Sequence, residues 1–267
     1  MSCACGHHHA PHDHDEGGIP VALTRPMVAL NGRLICADAA QMMTALSLLP
    51  GHIEASRAEP GCLRFDLWQD DNPLIWHLAE LFADETAFAA HQARTADSAW
   101  GRDSAGIGRD FRRREVMPAI RPEAAADRPA IDALLRAAFG GTDEARLVAN
   151  LREAGDLPVS LLATAGGAIL GHIALSPLVA ERPALDLAPV AVTPGAQGRG
   201  IGAALVREAL ARAGGAAVVV LGDPAYYGRF GFRPADLASP YAGPHLMIRG
   251  DLPPGSAIRH APAFAAL

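Results

Sequence analysis

Apolar residues along this chain fall into runs of two kinds, alternating and continuous. From Cys62 to Gln69 they alternate, with Leu63, Phe65 and Leu67 on one side and Arg64, Asp66 and Trp68 on the other. That is the two-residue period of a half-buried strand. Asp70-Asp71-Asn72-Pro73 is a hairpin signal, and Leu74 to Phe82 reads as the return strand. Upstream, Met27 to Ala37 reads as a strand. Asp38 can cap a helix from Ala39 to about Ala58, where apolar residues recur every three or four positions. Glu59-Pro60-Gly61 is a turn, Asp84-Glu85-Thr86 opens another helix through Gln92, and Ile107 to Val116 is a closing, arginine-rich strand. The order β-α-β-β-α-β predicts a ferredoxin-like domain.

Met117-Pro118 breaks this pattern, and a second series follows. Ala119-Ile120-Arg121 reads as a short strand, and helices are expected over Ala124 to Phe139 and Asp143 to Ala154. Val159 to Ala165 and Ala168 to Leu175 form a hairpin across Gly166-Gly167. A strand over Leu187 to Val192, a helix over Ala203 to Arg212 and a continuous apolar run over Ala216 to Leu221 come next. An unbroken run of that kind is the mark of a buried parallel strand. A mixed sheet flanked by helices is predicted, so the fold class is a two-domain α+β / α/β chain. The expected divisions are a tail over 1–22, a first domain over 23–116 and a second over 117–267.

Between the Leu187–Val192 strand and the helix that follows lies Gln197-Gly198-Arg199-Gly200-Ile201-Gly202. Glycines let backbone N–H groups converge on an anion, and a helix N-terminus adds positive potential, so strand, glycine turn and helix together suit a phosphate. The spacing is neither G-x-x-x-x-G-K-[ST] nor G-x-G-x-x-G. It fits Q/R-x-x-G-x-G/A and resembles the pyrophosphate loop of the GCN5-related N-acetyltransferases, which bind acetyl-coenzyme A. A second segment carries the same resemblance. Tyr226-Tyr227-Gly228-Arg229-Phe230-Gly231-Phe232 follows the second buried strand, as the family's aromatic-Tyr-x-x-x-Gly-Phe pattern does. With Gly222-Asp223-Pro224 before it and Ile258 to Phe264 at the end, it is most similar to the YhbS-type subgroup. The resemblance spans about Met117 to Leu267.

The resemblance implies acetyl transfer from acetyl-coenzyme A to an amine by direct attack. It implies that residues 197–203 (Gln197, Gly198, Arg199, Gly200, Ile201, Gly202 and Ala203) cradle the coenzyme. Backbone groups of Val190, Ala191 and Val192 would pair with the pantetheine arm, and that strand would hold the oxyanion donor. Tyr227 aligns with the family's tyrosine near the coenzyme sulfur. A phenol stays protonated at neutral pH and can donate to a thiolate. Tyr226 reads as structural, and Phe230 and Phe232 as core around a bend at Gly231. No general base announces itself; His172 and Glu181 are the candidates, with water as the alternative.

The first domain, through Glu54 to Asp66 with its Glu59-Pro60-Gly61-Cys62 portion, and through Phe88-Ala89-Ala90-His91 and Trp100, resembles the antibiotic biosynthesis monooxygenase family, the dimeric α/β-barrel domains. Such domains pair through their sheets, which implies a homodimer. Some members oxidise polycyclic phenols without a cofactor, and others bind haem. A cofactor-free or haem-linked monooxygenase acting on a small metabolite is therefore a second reading. His77, His91, Trp76 and Trp100 could line a pocket, although Trp76 and His77 are neighbours on one strand and face opposite sides. Cys62 follows a tight turn, where a small buried residue is the default and a reactive thiol the alternative.

Composition narrows the setting. The net charge is −6, and residues 118–267 carry thirteen arginines and thirteen acids, so the excess acid lies in the first 117 residues. Nothing resembles a nucleic-acid footprint, no apolar run is long enough to span a membrane, and no secretory signal is evident. Four cysteines, Cys3, Cys5, Cys36 and Cys62, are too few for a disulfide scaffold, so a reducing cytoplasm is the simplest location. All 23 basic residues are arginine, which removes lysine side chains as self-acetylation sites. The amino-terminal tail holds Cys3, Cys5, His7, His8, His9, His12 and His14. Imidazole and thiolate together suit Zn²⁺, Ni²⁺ or copper, so a metal-responsive binding protein is a third reading. The tail composition implies disorder without a ligand. The expected partners are a small-molecule or peptide amine and a second copy of the chain.

Overall fold

The computed structural model describes residues 18–266. Its first sheet is built from β2 (Met27–Ile35), β3 (Cys62–Gln69), β4 (Ile75–Phe82) and β5 (Gly108–Val116), in the antiparallel order β3-β4-β2-β5. That is the ferredoxin-like arrangement the element order predicted. Helices α1 (Ala39–Arg57) and α2 (Glu85–Asp97) cover one face. Each starts where an aspartate caps it: Asp38 accepts from the Gln41 amide at 3.0 Å and Asp84 from the Ala87 amide at 3.0 Å. A short helix α3 (Ala99–Asp103) was not foreseen. Ser98 caps it through the Gly101 amide at 3.1 Å, and it serves to bury Trp100. Five residues are too few to show helical periodicity, so the sequence pattern is silent there.

Leu63 departs from the expected alternation. A bulge between Cys62 and Arg64 shifts the register, so Leu63 leaves the side of Phe65 and Leu67 and packs into the neighbouring domain's core. One extra residue in a strand has this effect.

The second sheet runs β1-β6-β7-β8-β9-β10-β13-β11. Its strands are β1 (Ile19–Pro20), β6 (Ala119–Pro122), β7 (Val159–Ala165), β8 (Ala168–Leu178), β9 (Ala184–Val192), β10 (Ala217–Leu221), β11 (Arg233–Pro234) and β13 (Leu246–Arg249). Strand β12 (Leu237–Ala238) pairs separately with β14 (Ser256–Ala257). Among the described residues β9 and β10 are the one parallel pair of the large sheet. Helices α4 (Arg128–Phe139) and α5 (Asp143–Glu153) lie on one face, and α6 (Ile201–Arg212) packs into the core on the other. Helix α4 begins later than Ala124. The residues before it form a tight turn held by Arg121 on Asp127 at 2.7 Å, and Pro129 then sits in the first helical turn.

Two features tie the halves together. Ile19–Pro20, placed in the expected tail, pairs with Ile120 and Ala119 of β6, and Val21 beside it is buried. The second feature is the β7–β8 hairpin, whose tip rests on the open face of the first sheet. There Arg64 donates to the Gly166 carbonyl at 2.7 Å. Met27, Ala29 and Leu81 of the first sheet share one apolar cluster with Leu161, Leu170 and Ile173 of the second. The two sheets therefore have a joint core.

Candidate functional site

The site begins where two strands part. Strands β9 and β10 pair only through Ala184–Ala217, Leu185–Val218 and Asp186–Val219. Beyond Asp186, β9 keeps its partners on β8, including Ile173 for Val190, His172 for Ala191 and Gly171 for Val192. Among the described residues its other edge has no strand partner over Val190, Ala191 and Val192. A strand edge with free N–H and C=O groups is a template for an extended, amide-bearing ligand.

The glycine turn follows at the end of that edge. Gln197 Nε2 donates to the Val192 carbonyl at 3.1 Å and closes the loop. Gly198 and Gly200 have φ of 74° and 90°, a region only glycine enters without strain, and a side chain at either would point into open space. Helix α6 starts at Ile201, so the amides of its first turn lack intrahelical partners. Ile201 is 1% exposed and Ala203 packs on the core, so only their backbones can serve a ligand. Gly202 is tight: a β-carbon there would meet the Tyr226 hydroxyl at 3.1 Å and a Val192 methyl at 3.3 Å. Tyr226 thus reaches the turn, although the sequence marked it as structural.

Arg199 is turned away from the turn. Its guanidinium bonds Asp84 at 3.3 Å, the Ala83 carbonyl, and the Arg25 carbonyl at 3.3 Å, all on the first domain's side. The Ala87 amide first, and Arg199 after it, hold the Asp84 carboxyl below the usual range. Beside this contact lies a cavity of about 290 Å³ lined by Leu23, Thr24, Arg25, Asp84, Gly198 and Arg199. The mouth of the turn is therefore walled by both domains.

Tyr227 ends the short helix α7 (Pro224–Tyr227), which Asp223 caps by accepting from the Ala225 amide at 2.9 Å. Its ring lies against Gly222, where a β-carbon would come within 2.3 Å, and packs edge-on to Phe232. Burial, and then Tyr226, raise its phenol pKa above the ordinary value, so it holds its proton. Gly231, at φ 84°, makes the bend before Phe232, and both Phe230 and Phe232 are buried.

The two base candidates stand apart from this. His172 is fully buried and bonds Ser160 at 2.9 Å beneath the Glu123–Arg152 ion pair. Burial pushes its pKa down to about 4, so it is a neutral, sealed histidine. Glu181 is exposed and accepts from Ser256 at 3.4 Å.

In the first domain, His91, His52 and Trp100 come together under the helices. Glu59 joins His91 at 2.8 Å and Arg94 at 2.5 Å, and Glu80 lies 3.9 Å from His91. His77 does not join them. It stacks on Trp68 on the other face and bonds Asp70 at 2.6 Å, whereas Trp76 packs inward. Burial pushes the Cys62 thiol up to about 12, the state of an unreactive thiol. The tail residues Cys3, Cys5, His7, His8, His9, His12 and His14 lie outside the described residues. Among those described, no group of three or more histidines, cysteines or acids could hold a metal. Among the described residues no helix is long and apolar enough to cross a membrane.

Splayed parallel strands joined to a helix by a glycine turn, on this sheet order, define an acyltransferase of the acetyltransferase (GNAT) family, and the chain belongs to that family. Residues 158–234 match its domain, and residues 28–101 match the antibiotic biosynthesis monooxygenase domain. The chain is 46% identical over 120 residues to the uncharacterized N-acetyltransferase YhbS of Escherichia coli strain K12, covering 42% of this chain and 72% of that one. It is 39% identical over 118 residues to YjhQ of the same strain, covering 40% and 65%. The crystal structure of E. coli YhbS in complex with CoA superposes with a TM-score of 0.52 at 36% identity, covering 55% of this chain and 92% of that one.

Proposed function

We propose that the protein transfers acetyl from acetyl-CoA to a small-molecule or peptide amine. The observation that carries this reading is the free edge of β9 running into the Gly198–Gly200 turn. E. coli YhbS, similar over that region, is bound to CoA in its own structure. In this chain the amides from Gly198 to Ala203 face the coenzyme pyrophosphate at the N-terminus of α6, and Val190 to Val192 pair with the pantetheine arm. A β9 amide donates to the carbonyl oxygen as it gains charge. The amine nitrogen attacks the thioester carbon, the carbon–sulfur bond breaks, Tyr227 gives its proton to the departing thiolate, and the proton that the nitrogen sheds as the amide forms passes through water to restore Tyr227. A raised phenol pKa suits that task, since the group is protonated at neutral pH. Arg199 braces the loop against the first domain rather than gripping a phosphate.

The first domain acts as a support for the coenzyme mouth. Part of its open sheet face is covered by the β7–β8 hairpin. The remainder, with Arg33, Trp68, His77 and Asp110, is free to meet a second copy. The test of the function is thiol release. The full chain is incubated with acetyl-CoA and a set of primary amines. Release that depends on an amine is expected; release independent of every amine would overturn the reading.

A further inference from the structure

Three residues that the site does not use form a hydrogen-bonded chain beside the point where β9 and β10 part. His260 Nδ1 lies 2.8 Å from Asp186 Oδ2, and His260 Nε2 lies 3.0 Å from Ser239 Oγ. Burial raises the Asp186 pKa and the hydrogen bond from His260 opposes that rise; with the carboxylate ionised it only accepts, so Nδ1 carries the proton and donates it to Asp186. Nε2 then offers its lone pair to the Ser239 hydroxyl. The Tyr241 amide donates to Ser239 Oγ at 3.1 Å and fixes that oxygen. Side-chain exposure is 6% for Asp186 and 10% for His260. Ser239 is half-buried and forms the outer end.

The position is what gives this chain its meaning. Asp186 is the last residue of β9 paired with β10. It points to the same face as Ala184, two residues before it. Ala184 clusters there with Val219, Leu237 and Ile258, away from α6 and the glycine turn. The loop bearing Ser239 runs on to His245, whose carbonyl accepts from the Gly222 amide at 2.9 Å, at the end of β10. His260 is held by the paired backbones of Val179 and Arg259, bonded twice at 2.9 Å. Opposite Asp186, Ser176 is fully buried with a hydroxyl that has no hydrogen-bond partner among the described residues. A ligand on α6's side of the opening and a reactant on the other would meet at this level.

We infer that Ser239 and His260 take the proton from the acceptor ammonium, with Asp186 as the positioning residue. The inference rests on the acetyltransferase reading. The ammonium proton passes to Ser239 Oγ as the Ser239 hydroxyl proton passes to His260 Nε2. The imidazolium so formed is stabilised by Asp186, the neutral amine attacks the thioester, and the imidazolium later returns its proton to water. The acceptor class is an alkylamine, which is charged at neutral pH and needs this step. An arylamine, already neutral, does not.

The test uses the full chain with acetyl-CoA and two amines that share a phenyl ring, 2-phenylethylamine and aniline, at pH 7. His260→Gln is expected to lower turnover of 2-phenylethylamine by about 100-fold and that of aniline by less than about tenfold. Acetyl-CoA affinity, measured by titration, should stay the same, and Ser239→Ala should show the same bias. Equal losses on both amines would mean a structural role and overturn the assignment. Should the wild-type chain turn over neither amine, ¹⁵N-imidazole NMR decides. A shift of His260 on adding acetyl-CoA supports the assignment, and no shift with bound coenzyme overturns it. Failure of acetyl-CoA to bind a folded chain would instead overturn the acetyltransferase reading.

Discussion

Replacing Glu80 by glutamine should remove a loss of stability that the wild-type chain undergoes as pH rises from 6.5 to 8. Glu80 is 3% exposed, and one of its carboxyl oxygens has no hydrogen-bond partner among the described residues. Burial first, and then Glu59, push its pKa from 4.5 up to about 8. The folded state therefore keeps a proton that the unfolded state releases above pH 4.5, and stability falls with pH until about 8. One pKa unit corresponds to about 1.4 kcal/mol, so raising pH from 6.5 to 8 removes about 2 kcal/mol. The buried histidines act in a different window. His52, His91 and His172 have pKa values lowered from 6.5, so they reduce stability only as pH falls below that value. Asp186, also raised by burial, is common to both proteins and cancels in the comparison. Urea unfolding at pH 6.5 and pH 8 measures the effect. The wild-type chain should lose about 2 kcal/mol more than Glu80→Gln across that interval. Parallel behaviour of the two proteins would refute the reasoning, because it would mean that Glu80 is ionised when folded.

Leu81→Ala should cost about 2–5 kcal/mol, because Leu81 is fully buried in the cluster that both sheets share. The thermal melt should remain a single transition; two separate transitions would show that the domains are independent. Arg199→Ala should cost about 1–3 kcal/mol of stability by removing the bonds to Asp84 and Ala83. It should change acetyl-CoA affinity by less than about tenfold; a larger loss in titration would mean the guanidinium reaches a phosphate. Tyr227→Phe should lower kcat by about 100-fold with unchanged acetyl-CoA affinity. Full activity in the thiol-release assay would remove Tyr227 from the chemistry.

The legible parts of this molecule are local ones. The Gln197–Gly202 turn could be read because strand, glycines and helix are contiguous, and its backbone geometry follows from residue type. The bend at Gly231 was legible for the same reason. The ferredoxin-like order came from alternation and from the aspartate caps at Asp38 and Asp84. What was hidden depends on distance along the chain. His260 and Asp186 are separated by 74 positions and His260 and Ser239 by 21, and only the sheet topology joins them. No spacing encodes that meeting. Arg199 read as a ligand residue because nothing in the sequence places Asp84 beside it, 115 positions earlier. The bulge at Leu63 likewise needs a partner strand to exist. The pairing of Ile19–Pro20 with β6 shows the same limit, since a two-residue strand carries no period of its own.

The most direct test of the central claim is calorimetric titration of acetyl-CoA into the full chain beside Gly200→Glu. The full chain is required because residues 19–20 and the first sheet complete the core of the second domain. Gly200 has φ of 90° and open space where a side chain would begin. Glutamate there adds about 1–2 kcal/mol of backbone strain and sets a negative charge over the phosphate cradle. Thermal melting confirms that the variant is folded. Saturable binding by the wild-type chain and none by the variant is the predicted result. Equal binding by both, or none by a folded wild-type chain, would contradict it.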